Sequence, residues 1–228
     1  MVQVSQPYPP PLVSSPAPVL AASQLACRRG DRLLFRGLDL ELQPGQIVWL
    51  RGRNGSGKTS LLRLLAGLST PAEGALSWDG VPLRRAGADY RGALCYLAHA
   101  NALKDDLSAL EALQFLARLH GRAGDEAACT EALRGVGLHS RRHAAVRTLS
   151  QGQRRRVALA RLQLAPRAPV WILDEPYDAL DAEGSALLDR TLSGHARAGG
   201  AVLLTSHIDL SLHDPAPITL QLDDLAPR

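Results

Sequence analysis

Residues 47 to 68, "IVWLRGRNGSGKTSLLRLLAGL", constrain this chain more than any other segment. "IVWL" (47–50) reads as a buried strand, and "GRNGSGKT", Gly52 to Thr59, is a full match to G-x-x-x-x-G-K-[ST]. Leu61, Leu62, Leu64, Leu65 and Leu68 then fall at helical spacing, with Gly67 placed to end the helix. A strand, a Gly-rich turn and a helix in that order form a phosphate cradle. Gly55 and Gly57 let the backbone curl so that successive N–H groups point inward. The helix opening near Lys58 adds its positive end, and Lys58 itself can reach outer phosphates. Thr59 brings a hydroxyl to a magnesium ion, and Gly52, Arg53, Asn54, Ser56 and Ser60 complete the expected nucleotide contacts.

The remaining apolar runs suit the same architecture. "VWIL" (170–173) and "AVLL" (201–204) read as strands of a mostly parallel sheet buried on both faces. Between them and the phosphate loop, "SALEALQFLARLHGR" opens with a capping box, Ser108 to Glu111, and continues with Leu110, Leu113, Leu116 and Ala117 on one face. Residues 90 to 165 are therefore expected to be mainly helical.

Two further motifs carry chemistry. "VWILDEP" delivers Asp174 and Glu175 to a strand end, where open parallel sheets bind ligands. Asp174 is placed to hold the magnesium, directly or through water, and Glu175 to polarise the water that attacks a terminal phosphate. "LSQGQRRRVALARLQL" (149–164) offers, in a Ser-x-Gly turn opening a helix, a hydroxyl and unobstructed N–H groups to an anion; read alone, Ser150 is as well explained as the cap of its own helix.

At 228 residues the chain has room for one well-cored domain with a small insertion. No apolar stretch approaches the ~20 residues of a membrane helix, so the chain is expected to be soluble or peripheral. Residues 1–18 are rich in proline and read as a disordered tail, without the basic leader of a signal peptide. Cys27 follows Gln-Leu-Ala, which lacks the leucine of a lipoprotein cleavage site. Cys27, Cys95 and Cys129 form no C-x-x-C pair, which argues against a disulfide framework or a zinc site and fits a reducing compartment. The formal net charge of +4 is carried almost wholly by arginine, with no basic run interleaved with aromatics, so nucleic acid is not an expected partner.

The order of these motifs, followed by "ALD" at 179–181 and "LLTSH" ending at His207, resembles the ATP-binding subunits of ABC transporters over residues from about 20 to 220. Gln151 stands where that family commonly has the first glycine of Leu-Ser-Gly-Gly-Gln. The resemblance implies an α/β fold: a P-loop NTPase core of ABC ATPase type, with a mostly parallel sheet, an antiparallel β part near the N-terminus and an inserted helical subdomain at approximately 90–165. Residues 19–228 would form that single domain. It also implies ATP and Mg2+ as ligands, and a head-to-tail dimer in which Ser150, Gly152 and Gln153 of one subunit close over ATP held by the other. Asp181 would lie at that seam, and His207 would contact the terminal phosphate and help hold Glu175 and the attacking water. These ATPases usually stack adenine on an aromatic residue ahead of the phosphate loop; here "CRRGDRLLF" offers Arg28 or Arg29, whose guanidinium plane can also stack on a base.

Most relatives place glutamine where this chain has His99. A histidine there, in "YLAHANALKDDLSALEAL", with "SLLRLLAGLSTP", "RRVALARL" and Trp171, looks like the CcmA subgroup, the haem exporter ATPases of bacterial c-type cytochrome maturation. That likeness implies a peripheral subunit on the cytoplasmic face of the bacterial inner membrane, partnered by a CcmB-like integral membrane subunit with CcmC and CcmD. Haem enters only indirectly, since the sequence has no C-x-x-C-H. Two alternatives stay open: the ATPase of a lipid, drug or ion transporter, and a soluble ABC-type ATPase acting on nucleic acid or ribosomes. The second would call for a coiled-coil insertion or a duplicated domain, and the chain has neither.

Overall fold

A computed structural model describes residues 19–122, 124–165 and 168–226. The tail expected over residues 1–18 lies outside them. The apolar runs are strands: β3 (Ile47–Arg51), β7 (Val170–Leu173) and β8 (Ala201–Thr205). With β6 (Leu94–Leu97) and β9 (Ile218–Gln221) they form a five-stranded parallel sheet of order β6-β7-β8-β3-β9. Val48, Leu50, Val170, Ile172 and Leu203 enter one core, while Trp49, Trp171, Leu173, Val202 and Leu204 enter the other. Burial on both faces is why these strands read as unbroken apolar runs.

The first core is closed by a second, antiparallel sheet and by helices α1 (Lys58–Leu65) and α2 (Leu83–Ala93). That sheet comprises β1 (Leu20–Arg29), β2 (Arg32–Leu42), β4 (Glu73–Trp78) and β5 (Val81–Pro82), in the order β2-β1-β4-β5. Leu61, Leu62, Leu64 and Leu65 of α1 are buried as the periodicity predicts, but Leu68 is 56% exposed. The helix has already ended: Gly67 N–H donates to Leu64 O and Leu68 N–H returns to Arg63 O, which turns Leu68 off the apolar face.

On the other face of the parallel sheet lie α6 (Ala182–Arg197) and the end of α5 (Gln151–Leu159). A third core joins α5 to α3 (Ala109–Leu119) and α4 (Glu126–Gly135). The capping box at α3 forms, with Glu111 N–H donating to Ser108 Oγ and Ser108 N–H donating to the Glu111 carboxylate at 2.8 Å. Within the stretch read as mainly helical, the apolar run "LCYL", which reads as a strand stopping at His99, is β6; it pairs in parallel with β7 and so belongs to the sheet. Among the described residues, no helix is long and apolar enough to cross a membrane.

Candidate functional site

The phosphate loop leaves β3 and enters α1 within six residues, Gly52 to Gly57. Gly57 sits at φ 107°, and a Cβ there would come within 3.2 Å of Leu34 on β2, so backbone geometry and close packing both call for glycine. Lys58 Nζ donates to Gly52 O at 2.7 Å, bending the side chain back across its own loop. The start of the loop is tied to the C-terminal part of the chain, where the Asp223 carboxylate accepts from Arg53 N–H at 3.0 and 3.1 Å. That N–H is therefore engaged within the chain, and the Arg53 side chain also faces Asp223, at 3.7 Å.

Parallel strand order places the ends of β7 and β8 beside this loop. A cleft of about 430 Å3 is lined by Asn54, Gly55, Gly57, Lys58, Thr59 and Ser60 on one side and by His99, Asp174, Glu175 and His207 on the other. Arg29, Arg32 and Leu34 close it from the antiparallel sheet. Thr205, at the end of β8, links the two acidic residues: its Oγ1 accepts from Glu175 N–H at 2.8 Å and donates to Asp174 Oδ1 at 2.9 Å. Glu175 is 7% exposed and has φ 49°, a left-handed backbone rare for a residue other than glycine. His207 N–H donates to Glu175 Oε2 at 3.0 Å, and His207 Nε2 lies 3.4 Å from Oε1.

The donor set suits magnesium. Asp174 is 2% exposed, and its Oδ2 is buried without a hydrogen-bond partner. An acceptor left open in that way, in the same cleft as the Thr59 hydroxyl, matches an ion that takes one or two protein oxygens and fills its octahedron with water and phosphate. Among the described residues there is no cluster of three or more His, Cys, Asp or Glu that would form an all-protein cage.

The other expected contacts gather elsewhere. Ser150 caps α5 in a second capping box: Gln153 N–H donates to Ser150 Oγ at 3.2 Å and Ser150 N–H to Gln153 Oε1 at 3.1 Å. Asp181 caps α6, accepting from Gly184 N–H at 2.8 Å, and pairs with Arg156; both bonds hold its carboxyl below the usual range, the Gly184 bond most. Gly152 joins these two helix starts, since a Cβ there would lie 2.6 Å from Ala179 O. Ser150, Gly152, Gln153 and Asp181 thus form a second surface group and do not line the phosphate-loop cleft of the same chain.

His99 lines the cleft, with Nδ1 3.7 Å from Asp178 Oδ2. Of the two arginines offered for base stacking, Arg29 lines the cleft and Arg28 is absent from its lining, while Arg32 joins it. Arg29 and Arg32 are directly paired across the β1–β2 hairpin, which puts both side chains on one face. Sequence reasoning missed Arg32, Thr205 and Asp223. Only Arg32 had a local signal, its position opposite Arg29 across a Gly-Asp turn.

A model of the ABC transporter family matches residues 35–178. The Cytochrome c biogenesis ATP-binding export protein CcmA of Aromatoleum aromaticum is 49% identical over 209 residues, covering 92% of this chain and 97% of that protein. A putative ABC transporter ATP-binding protein from Pyrococcus furiosus has the same fold, with a TM-score of 0.77 at 24% identity, covering 91% of this chain and 99% of that one. The dimeric ATP-binding cassette MJ0796 bound to ADP and Pi superposes with a TM-score of 0.72 at 23% identity, over 83% and 88% of the two chains. The α/β architecture expected from the sequence, with its antiparallel part near the N-terminus, is the one found.

Proposed function

This chain belongs to the ABC transporter family of ATP-binding subunits, and on that premise we propose that it hydrolyses ATP to drive haem export or delivery for c-type cytochrome biogenesis. The observation that carries the hydrolytic part is the pinned Glu175 carboxylate facing the phosphate loop across one cleft. The system served is inferred from the name borne by the CcmA relative.

In this reading, the N–H groups of the loop from Asn54 to Thr59 and the Lys58 ammonium bind the phosphates of ATP, the Arg53 N–H being held by Asp223. Asp174 and Thr59 would hold Mg2+, which neutralises charge developing on the phosphates. Glu175 accepts the proton of the attacking water and orients it; the His207 N–H and imidazole fix the carboxylate in place. Arg29 and Arg32 supply guanidinium planes for the base. Ser150, Gly152, Gln153 and Asp181, remote from the cleft of their own chain, would complete the cleft of a second subunit in a head-to-tail dimer. Residues 19–228 would act as one ATPase domain with its helical part at approximately 90–165. Docking to a CcmB-like membrane subunit, with CcmC and CcmD, would hold the protein at the cytoplasmic face of the inner membrane.

The test is to delete the gene, stain for covalently bound haem, and complement with wild type and with Glu175→Gln. Staining should vanish, return with wild type and stay absent with the variant. Normal c-type cytochromes in the deletion strain would discard the haem assignment and leave the ATPase reading standing.

A further inference from the structure

Arg155, in the second turn of α5, is 2% exposed, the largest side chain so completely buried in the described part of the molecule. Its guanidinium reaches two turns far apart in sequence. At the end of β6 it donates to Ala98 O and His99 O, both at 3.3 Å, and to Asn101 Oδ1 at 2.9 Å. At the end of β7 it donates to Asp174 O at 2.9 Å, Glu175 O at 2.6 Å and Pro176 O at 3.3 Å. All three nitrogens are used, and among the described residues no acceptor is a carboxylate. Burial pushes its pKa down to about 10, against the pull of Asp178, Asp174 and Glu175 nearby, so the group remains charged at neutral pH.

The consequence falls on Glu175. Its left-handed backbone is sparsely populated for a residue other than glycine and persists only if the surroundings hold it. They do so from both sides, since Thr205 takes the Glu175 N–H and Arg155 takes the Glu175 C=O. The same guanidinium holds the backbone of His99, which lines the cleft opposite. We propose that Arg155 is a positioning residue for hydrolysis, locking the backbone of Glu175 and of His99 into one frame fixed to helix α5, the helix that Ser150 caps. The proposal rests on the reading of Glu175 as general base. Through Arg155, any shift of α5 moves the carboxylate and the His99 turn together. A planar fork is needed for this, because an ammonium cannot reach both turns at once.

The test compares single-turnover ATP hydrolysis, KM for ATP and melting temperature in wild type, Arg155→Lys, Glu175→Gln and the double variant. Arg155→Lys should hydrolyse ATP about 10- to 100-fold more slowly, the scale of a misplaced catalytic group, with KM within about threefold of wild type. That loss should largely disappear in the Glu175→Gln background. Unchanged hydrolysis by Arg155→Lys overturns the proposal, as does an equal fold-loss in both backgrounds, which would mean that Arg155 acts other than through Glu175. Should Arg155→Lys fail to fold, Asn101→Ala removes one anchor from the partly exposed β6 turn. It should then slow hydrolysis about two- to fivefold, again only when Glu175 is present, and an unchanged rate overturns the proposal. Wild-type turnover by Glu175→Gln alone would sink the base assignment itself, so the two failures are read separately.

Discussion

Glu175 and His207 are joined twice: the backbone N–H of His207 donates to one carboxylate oxygen at 3.0 Å, and its imidazole Nε2 lies 3.4 Å from the other. A carboxylate anchored at one oxygen by that N–H, with the imidazole beside the other, has its orientation fixed, so a water held beside it meets a base of set direction.

Glu175→Gln keeps the shape and one oxygen acceptor for His207 N–H while removing the basic oxygen. We expect ATP to bind with near wild-type affinity and hydrolysis to fall about 10² to 10⁴-fold. Equilibrium nucleotide binding and phosphate release measured on the same preparation check both halves.

Lys58→Ala removes the only side-chain cation within the phosphate loop that points into the cleft. ATP affinity should weaken at least about tenfold, or ~1.4 kcal/mol. An affinity and a hydrolysis rate both equal to wild type would count against the cradle.

Gly152→Ala would place a methyl 2.6 Å from Ala179 O, so α5 and the turn ahead of α6 must move apart. Urea denaturation should show a loss of about 1–3 kcal/mol, together with slower hydrolysis. Gly194→Ala provides the contrast. It lies on the exposed face of α6 with nothing within 4 Å of the new methyl, and should gain about 0.5–1 kcal/mol from helix propensity alone.

His195 is buried and stacked on Trp171, ring centroids 3.7 Å apart and planes within 1°, and burial pushes its pKa down to about 4 from 6.5. The unfolded chain therefore binds a proton near pH 6.5 that the folded chain refuses until about pH 4. Between those values the unfolded state holds more protons, so stability falls as pH falls through that window. His195→Phe keeps a ring against Trp171 and should flatten melting temperature against pH across that window. An identical slope in the variant would assign the acid sensitivity to other groups.

The phosphate loop and the "DEP" strand end were legible because each is a contiguous pattern whose chemistry is local. Arg155 was not. In "QRRRV" it reads as one more residue of a solvated basic face, and only the convergence of two strand ends on α5 buries it. Thr205 and Asp223 escaped for the same reason, since their partners lie 30 and 170 residues away. The arginines at the hairpin show an intermediate case. The sequence narrowed the choice to Arg28 or Arg29, and alternation along β1, with Arg29 paired to Arg32, puts Arg29 at the cleft. For Ser150, the structure shows the cap: the hydroxyl closes its own helix, and the capped turn lies against the backbone at Ala179 through Gly152.

The position of β3 between β8 and β9 sets a timetable for biosynthesis. The strand that ends in the phosphate loop is made well ahead of both its pairing partners, which come from residues 201–221. Until then β3 is an unzipped strand with bare edges, and Arg53 lacks the Asp223 clamp. A ribosome-bound chain stalled before residue 201 therefore carries the whole Gly52–Thr59 motif without the sheet that supports it. The loop is therefore expected to gain its fixed frame for ATP only once β8 and β9 have closed around β3.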